Sequence, residues 1–151
     1  MWLKSCRSIY DFKKNYGLGN SMKICAFVNE KVGYLTLKEI LKKKIEVPLV
    51  FTSSLSRKSR ISDWFDIKSH KNEFKRTEIV RIENPKEKKV FDKINQFTPD
   101  LIIVISWSQI IPKQIIEIPK YGVVSSHYSD LPKRRGGAPL FWAIYDNLSK
   151  E

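Results

Sequence analysis

Short apolar runs alternate with amphipathic stretches along most of the chain, and this alternation predicts the secondary structure. Five runs rich in β-branched and aromatic residues are bounded by turn residues, which is typical of buried strands. The predicted strands are Met22 to Val28, Val47 to Thr52, Thr77 to Ile82, Leu101 to Ser106 and Tyr121 to Ser126. The predicted helices are Thr36 to Lys42 with Thr36 as N-cap, one opening at Asn84-Pro85, a short one entered at Pro112, and one from Pro139 to Asn147.

The order of these elements predicts the fold class. Strands and helices that alternate in this way favour a Rossmann-like α/β fold, with a parallel sheet and helices on both faces. Ligands of such sheets bind beyond the carboxyl ends of the strands, so the loops that begin at Asn29, Ser53, Trp107 and His127 are the ones to inspect. The chain contains neither GxGxxG nor GxxxxGK[ST], so ordinary dinucleotide or nucleoside-triphosphate binding lacks sequence support.

Residues 1–21 have no clean periodicity and are interpreted as an N-terminal extension to a domain spanning 22–151. The extension has no apolar core typical of a secretory signal, and no apolar run approaches the roughly 18 residues that span a bilayer. Two cysteines, Cys6 and Cys25, make no disulfide framework, and no Cys/His spacing indicates a metal site. A cytoplasmic protein without a membrane span or a metal is therefore expected.

The chain carries 28 Lys and Arg against 16 Asp and Glu, a formal net charge of +12. The excess is concentrated in the first half, since residues 36–76 hold eleven basic residues against five acids. A solvated lysine-rich surface is the simpler interpretation. Attraction to a phosphorylated substrate or to RNA is the alternative, and binding to a polyanion would depend strongly on salt.

The last thirty residues carry the most specific chemistry. His127 follows the fifth predicted strand and precedes a loop that contains Gly136-Gly137 between Pro132 and Pro139. An imidazole held rigidly at the ligand-binding edge suits general acid–base or oxyanion chemistry near neutral pH. A histidine that caps the strand end by bonding a loop carbonyl explains the same pattern, and the residues alone leave the two interpretations evenly matched.

Two segments, 99–112 and 122–144, resemble the folate-dependent formyltransferase family. The family includes methionyl-tRNA, glycinamide ribonucleotide and sugar-nucleotide N-formyltransferases. Its pattern is a strand ending in Asn-x-His, a Ser-Leu-Leu-Pro turn, an Arg-Gly pair and a Pro-x-x-Trp-Ala-Ile helix. The residues in register with that pattern are His127, Ser129, Leu131, Pro132, Arg135, Gly136 and Pro139. The resemblance extends over about residues 22–148, and the run Trp-Ser-Gln-Ile-Ile-Pro is most similar to the sugar branch.

The resemblance implies transfer of a formyl group from N10-formyltetrahydrofolate to a substrate amine, here an amino-sugar nucleotide. The implied catalytic residues are His127 and Ser125, which stands at the position of the family's catalytic Asn. The implied folate-binding residues are Trp107, Ser108, Gln109, Ile110 and Ile111. The side chains of the two isoleucines are expected in the core, with folate contacts made by the backbone. Arg135 and Gly136 are the predicted substrate-binding residues, since the pair Arg134-Arg135 in a Gly/Pro loop can bind phosphate. A structural role for Arg135 in the loop and a solvated Arg134 are the alternative interpretation.

The family's catalytic Asp lies dozens of residues beyond the histidine, whereas this chain ends at Glu151; Asp130 and Asp146 are too early. We therefore expect a formyltransferase domain truncated at its C-terminus. The alternatives are a truncated, inactive family member and a methionyl-tRNA formyltransferase-like fragment. A missing half would leave a sheet edge and the last predicted helix poorly covered, so self-association is expected. Trp142 is expected to be a core residue of that helix.

Overall fold

Five parallel strands form one sheet in the computed structural model, which describes residues 22–56, 64–133, 135–137 and 139–146. The strands are β1 (Ile24–Val28), β2 (Leu49–Ser53), β3 (Glu78–Ile82), β4 (Leu101–Ile105) and β5 (Val123–Ser125). Their order in the sheet is β3-β2-β1-β4-β5, and every neighbouring pair is parallel. The predicted Rossmann-like parallel sheet is confirmed.

Helices cover both faces of the sheet. The α-helices are α1 (Glu30–Lys42), α2 (Lys88–Phe97), α3 (Lys113–Ile116) and α4 (Pro139–Tyr145), and a 3-10 helix (Ile67–Glu73) joins β2 to β3. Buried residues of α1 and the 3-10 helix belong to one core cluster, whereas those of α2 and α3 belong to the other. From β1 the chain continues to β2 and β3 on one side of the sheet, and from β3 it crosses back to β4 and β5 on the other side. Right-handed crossovers that run in opposite directions along a sheet place their helices on opposite faces.

The central strands are buried on both sides, which explains their continuous apolar sequences. Alternate side chains of β1 enter different clusters: Ile24 and Val28 face α1, whereas Phe27 faces α2. Phe27 stacks on Phe51 of β2 with ring centroids 5.0 Å apart. Ile94 of α2 is fully buried in the same core cluster as these two aromatic residues.

The prediction for the first helix was wrong at its start. The stretch expected to be a loop is already helical, because α1 begins at Glu30, and Thr36 lies inside the helix rather than at its N-cap. Gly33 makes this early start possible. A Cβ there would lie 2.7 Å from Val28 Cγ1, so only glycine lets the helix pack this closely on the end of β1.

The last helix is exposed rather than buried. In α4 the side chains of Leu140, Trp142 and Ile144 are 55%, 49% and 78% exposed, and Ala143 is the buried residue. The prediction that Trp142 lies in the core was therefore wrong. Leu140, Trp142 and Ile144 are apolar, but α4 exposes all three to solvent. This agrees with a poorly covered helix, while self-association stays a prediction. None of the helices described is long and apolar enough to cross a membrane.

Candidate functional site at the carboxyl edge of the sheet

The crevice of this sheet lies between β1 and β4, where the connections diverge to opposite sides. Asn29, the residue after β1, links three strands at this point. Its backbone N–H donates to the carbonyl of Ile105 at the end of β4, at 3.2 Å. Its side-chain Oδ1 accepts a hydrogen bond from the backbone N–H of Ser53 at the end of β2, at 3.0 Å. The ends of β2, β1 and β4 are therefore held together by the backbone and the side chain of one buried residue.

The segments that follow β1 and β4 both turn sharply at the crevice. Glu30 and Ser106, which follow Asn29 and Ile105, adopt left-handed backbone with φ of 61° and 49°. A non-glycine residue in that region costs roughly 1–2 kcal/mol, and such strain concentrates at ligand-binding sites. The two strained residues thus flank the crevice at which a doubly wound sheet binds its ligand.

The segment after β4 contains the five residues predicted to bind folate. The Trp107 ring meets Phe27 of β1 edge-on at 5.2 Å, and Gln109 Nε2 donates to the carbonyl of Glu83, beyond β3, at 2.9 Å. The segment therefore crosses the ends of β1 and β2. Ser108 is exposed and Ile110 is 82% exposed, so the expectation that Ile110 lies in the core was wrong. Ile111 does pack against the core.

His127 lies two residues beyond β5 and is exposed. Its Nδ1 is 3.0 Å from Ser129 Oγ, and the Ser129 hydroxyl donates to the carbonyl of Lys133, also at 3.0 Å. Because that hydroxyl has one proton, its oxygen accepts from Nδ1–H. The neutral ring then carries its proton on Nδ1 and presents Nε2 as the basic nitrogen. The histidine is oriented by a side chain of its own loop, through the Ser129 hydroxyl rather than directly through a loop carbonyl, and its acid–base role stays a prediction.

The other predicted catalytic and substrate-binding residues lie on the same side of the sheet or on the loop that follows. Ser125 is the last residue of β5, is exposed, and aligns with Val104 of β4. Neighbouring strands are about 5 Å apart, so the segment that leaves β4 begins close to the end of β5, from which His127 follows. Arg135 and Gly136 are exposed on the following loop. Arg134 lies outside the described residues.

A cavity of about 360 Å³ adjoins this loop and is lined by Gly136, Gly137, Trp142 and Asp146. It is the place where the predicted substrate-binding loop meets α4. Exposed glycine backbone beside an aromatic ring offers polar and apolar contacts to a ligand together.

The loops after β1 and β2 were predicted to border the ligand site, but the burial of their polar side chains was not predicted. Four buried side-chain atoms at this edge have no hydrogen-bond partner among the described residues: Asn29 Nδ2, Ser53 Oγ, Trp107 Nε1 and Gln109 Oε1. Polar atoms are normally paired when buried, so their concentration at one edge is unusual. A polar residue directly after an all-apolar strand was the available signal. No group of His, Cys, Asp and Glu suited to a metal ion occurs in the part of the chain that is described.

The strand order and the parallel pairing define a doubly wound α/β domain of the Rossmann-like class. A family model described as formyl transferase matches residues 22–147. The chain belongs to the formyl transferase family.

The chain is similar to curated methionyl-tRNA formyltransferases over part of its length. It is 48% identical over 65 residues to the enzyme of Clostridium novyi, covering 43% of this chain and 21% of that protein. It is 46% identical over 65 residues to that of Clostridioides difficile, with the same coverage. The matches thus span about a fifth of the length of these relatives.

Solved structures agree on the fold. Phosphoribosylglycinamide formyltransferase from Bacillus halodurans superposes with a TM-score of 0.61 at 15% identity, covering 83% of this chain and 66% of that one. A formyltetrahydrofolate deformylase from Pseudomonas syringae gives 0.56 at 14% identity, covering 93% of this chain and 49% of that one. At these identities the likeness concerns the fold alone.

Proposed function

We propose that the chain is the catalytic-domain portion of a formyltransferase that moves a formyl group from N10-formyltetrahydrofolate to a primary amine. The observation that carries the proposal is that His127 and the segment 107–111 follow the carboxyl ends of the neighbouring strands β5 and β4. Membership of the formyl transferase family supports the reaction class. One side of the edge would hold the donor and the other the reacting amine.

His127 would manage the proton and the charge. The amine attacks the formyl carbon, a C–N bond forms, and the carbonyl oxygen becomes an oxyanion. Nε2, made the basic nitrogen by the Nδ1 contact to Ser129, accepts the amine proton; the imidazolium stabilises the oxyanion and then donates this proton to N10. The bond from the formyl carbon to N10 breaks, and tetrahydrofolate leaves with the proton. Ser125, exposed at the end of β5, is proposed as a second donor near the oxyanion.

The donor would lie along the segment from Trp107 to Ile111. The Trp107 ring and the Gln109 carboxamide face the protein, whereas Ser108 and Ile110 face solvent. Backbone groups at Ser108 and Ile110, with the isoleucine side chain, are therefore the proposed contacts to the flat folate ring. This arrangement supports a folate wall built from backbone rather than from the side chains of all five residues.

The acceptor is proposed to be an anionic amine that carries phosphate. The sequence motif favoured an amino-sugar nucleotide. We place aminoacyl-tRNA ahead of it, because the similar curated proteins are methionyl-tRNA formyltransferases and a net charge of +12 attracts a polyanion. Arg135, exposed on the loop after His127, is the proposed phosphate contact for either acceptor.

The test uses the 151-residue chain with N10-formyltetrahydrofolate and either methionyl-tRNA or an amino-sugar nucleotide, with formylated product measured by mass spectrometry. Loss of a general acid–base group typically costs a factor of about 10²–10⁴, so His127→Asn should reduce the rate by that range. His70→Asn is the matched control and should retain the rate. His70 contacts Phe65, which packs against the core cluster on the α1 side of the sheet.

Folate binding separates the proposal from the inactive alternative. A chain that binds a folate analogue in calorimetry but formylates neither acceptor would be an inactive member of the family. A chain that binds no folate at all would contradict the proposal.

A further inference from the structure

Gln109 belongs to the folate segment by position, yet its side chain points away from solvent. Its Nε2 donates to the backbone carbonyl of Glu83 at 2.9 Å, and its Oε1 is buried. A glutamine held in this way does not present its carboxamide to a folate. Its contact must therefore act on the segment to which it belongs.

The anchor at Glu83 is itself fixed on two sides. Its backbone N–H donates to Glu87 Oε1 at 2.7 Å. Its carboxylate accepts hydrogen bonds from the hydroxyls of Ser54 and Ser56, in the loop that follows β2. The carbonyl that receives Gln109 thus belongs to a residue whose amide and side chain are both engaged.

The separation of β4 from Glu83 means that the contact of Gln109 restrains the segment between them. β3 and β4 are separated by β2 and β1 in the sheet, which is three strand spacings or roughly 14 Å. The three steps from Ser106 to Gln109 reach roughly 10 Å when extended, and the glutamine side chain supplies the remainder. Trp107 rests on Phe27 between the two ends. The segment is therefore stretched across the crevice between β4 and the Glu83 anchor.

We propose that Gln109 is a positioning residue that holds the formyl-donor segment in place, and that the Ser54–Ser56–Glu83 cluster sets its anchor. The proposal rests on the proposed function, because it assigns the segment from Trp107 to Ile111 to the folate. It makes the edge formed by β2 and β3 a determinant of donor affinity, although that edge lies on the far side of the sheet from His127.

The first test replaces Gln109 by Met, which keeps the length of the side chain and removes the donor. Gln114→Met, at an exposed position of α3, is the matched control. Hydrogen exchange of the 151-residue chain should accelerate about 3- to 10-fold at residues 107–111 in Gln109→Met and remain unchanged in the control, as expected for one hydrogen bond. Unchanged exchange in Gln109→Met would overturn the proposal.

Folate affinity and thermal stability distinguish positioning from a merely structural role. Gln109→Met also removes a buried unpaired oxygen, so its melting temperature should stay close to that of the parent chain. Its affinity for a folate analogue should fall about 3- to 10-fold. A lower melting temperature with unchanged folate affinity would overturn the proposal.

A double-mutant cycle tests the anchor. Ser54→Ala/Ser56→Ala should weaken folate binding in the parent background and have little further effect in Gln109→Met, because both changes release the same contact. Full additivity would refute the role of the cluster. If the parent chain binds no folate, the proposed function fails, and the exchange comparison alone decides whether Gln109 anchors the segment.

Discussion

The side chain of Asn29 accepts a hydrogen bond from the backbone N–H of Ser53 at 3.0 Å, with both residues 3% exposed. The bond joins the end of β1 to the end of β2 two residues beyond the last ladder pair, Phe27 with Phe51. Buried polar groups of this kind stabilise a structure mainly because leaving their partner unpaired is costly. The carboxyl edge of the sheet is therefore held by a side chain as well as by backbone pairing.

Asn29→Ala should lower the free energy of unfolding by about 1–3 kcal/mol, because the buried Ser53 N–H loses its acceptor. Urea denaturation followed by circular dichroism measures the effect. Asn72→Ala, at an exposed position of the 3-10 helix, is the control and should change stability by less than about 0.5 kcal/mol. Equal stabilities for the two variants would contradict the role given to Asn29.

Gly33→Ala should destabilise the chain by about 1–2 kcal/mol. The new methyl group would lie 2.7 Å from Val28 Cγ1, a fully buried side chain, and such overpacking costs about 1–3 kcal/mol. Better helix propensity offsets up to about 1 kcal/mol of that cost. In thermal melts the effect of Gly33→Ala should be smaller in a Val28→Ala background. An equal loss in both backgrounds would exclude the contact as its cause.

Acid should weaken the contact between α1 and the 3-10 helix through Glu73. Hydrogen bonds from Lys38 and then from Tyr34 hold the pKa of this carboxyl below its ordinary value. Its contribution to stability is therefore present above the ordinary glutamate pKa of about 4.3 and is lost as the pH falls through the lowered value. Glu73→Gln should flatten the dependence of the urea midpoint on pH at pH values below about 5. Lys38→Met should flatten it in part, and a slope unchanged in both variants would refute the assignment.

Cys25 should be chemically silent in the folded chain. Burial raises the pKa of its thiol, and its side chain is fully enclosed in the core. In a Cys6→Ser background, alkylation by iodoacetamide should be slower on the order of 1,000-fold than in urea, since reaction requires opening of the fold. Mass spectrometry of timed samples measures both rates. Alkylation of the native chain at the rate of a free thiol would show that β1 is accessible.

Most of the fold could be predicted because the central strands are buried on both faces and therefore consist of apolar runs. All five strands were located, and their alternation with helices predicted the parallel sheet. The start of α1 was missed because Asn29 and Gly33 look like loop residues in isolation. Their presence reflects tertiary contacts, a hydrogen bond to Ser53 and close packing on Val28, which no local pattern reveals.

The candidate site divides in the same way. His127 was identifiable from its place after a strand and from motif resemblance, and the structure adds the orienting contact to Ser129. Gln109 was identified as a folate residue by register alone. Its inward direction depends on the carbonyl of Glu83, 26 residues earlier in the chain, and sequence pattern carries no signal for such a pairing.

Among the described residues, the buried apolar side chains extend from Met22 to Pro119, and Ala143 alone follows them. The stretch with His127 and Arg135 therefore supplies little of the interior on which the fold depends. Under the proposed function, mutations there would alter which amine is recognised while the sheet remains intact, since surface changes away from special features seldom shift stability by more than about 0.5 kcal/mol. Because the core and the loop with His127 are separate, substitutions can accumulate in this loop during evolution without destabilising the sheet.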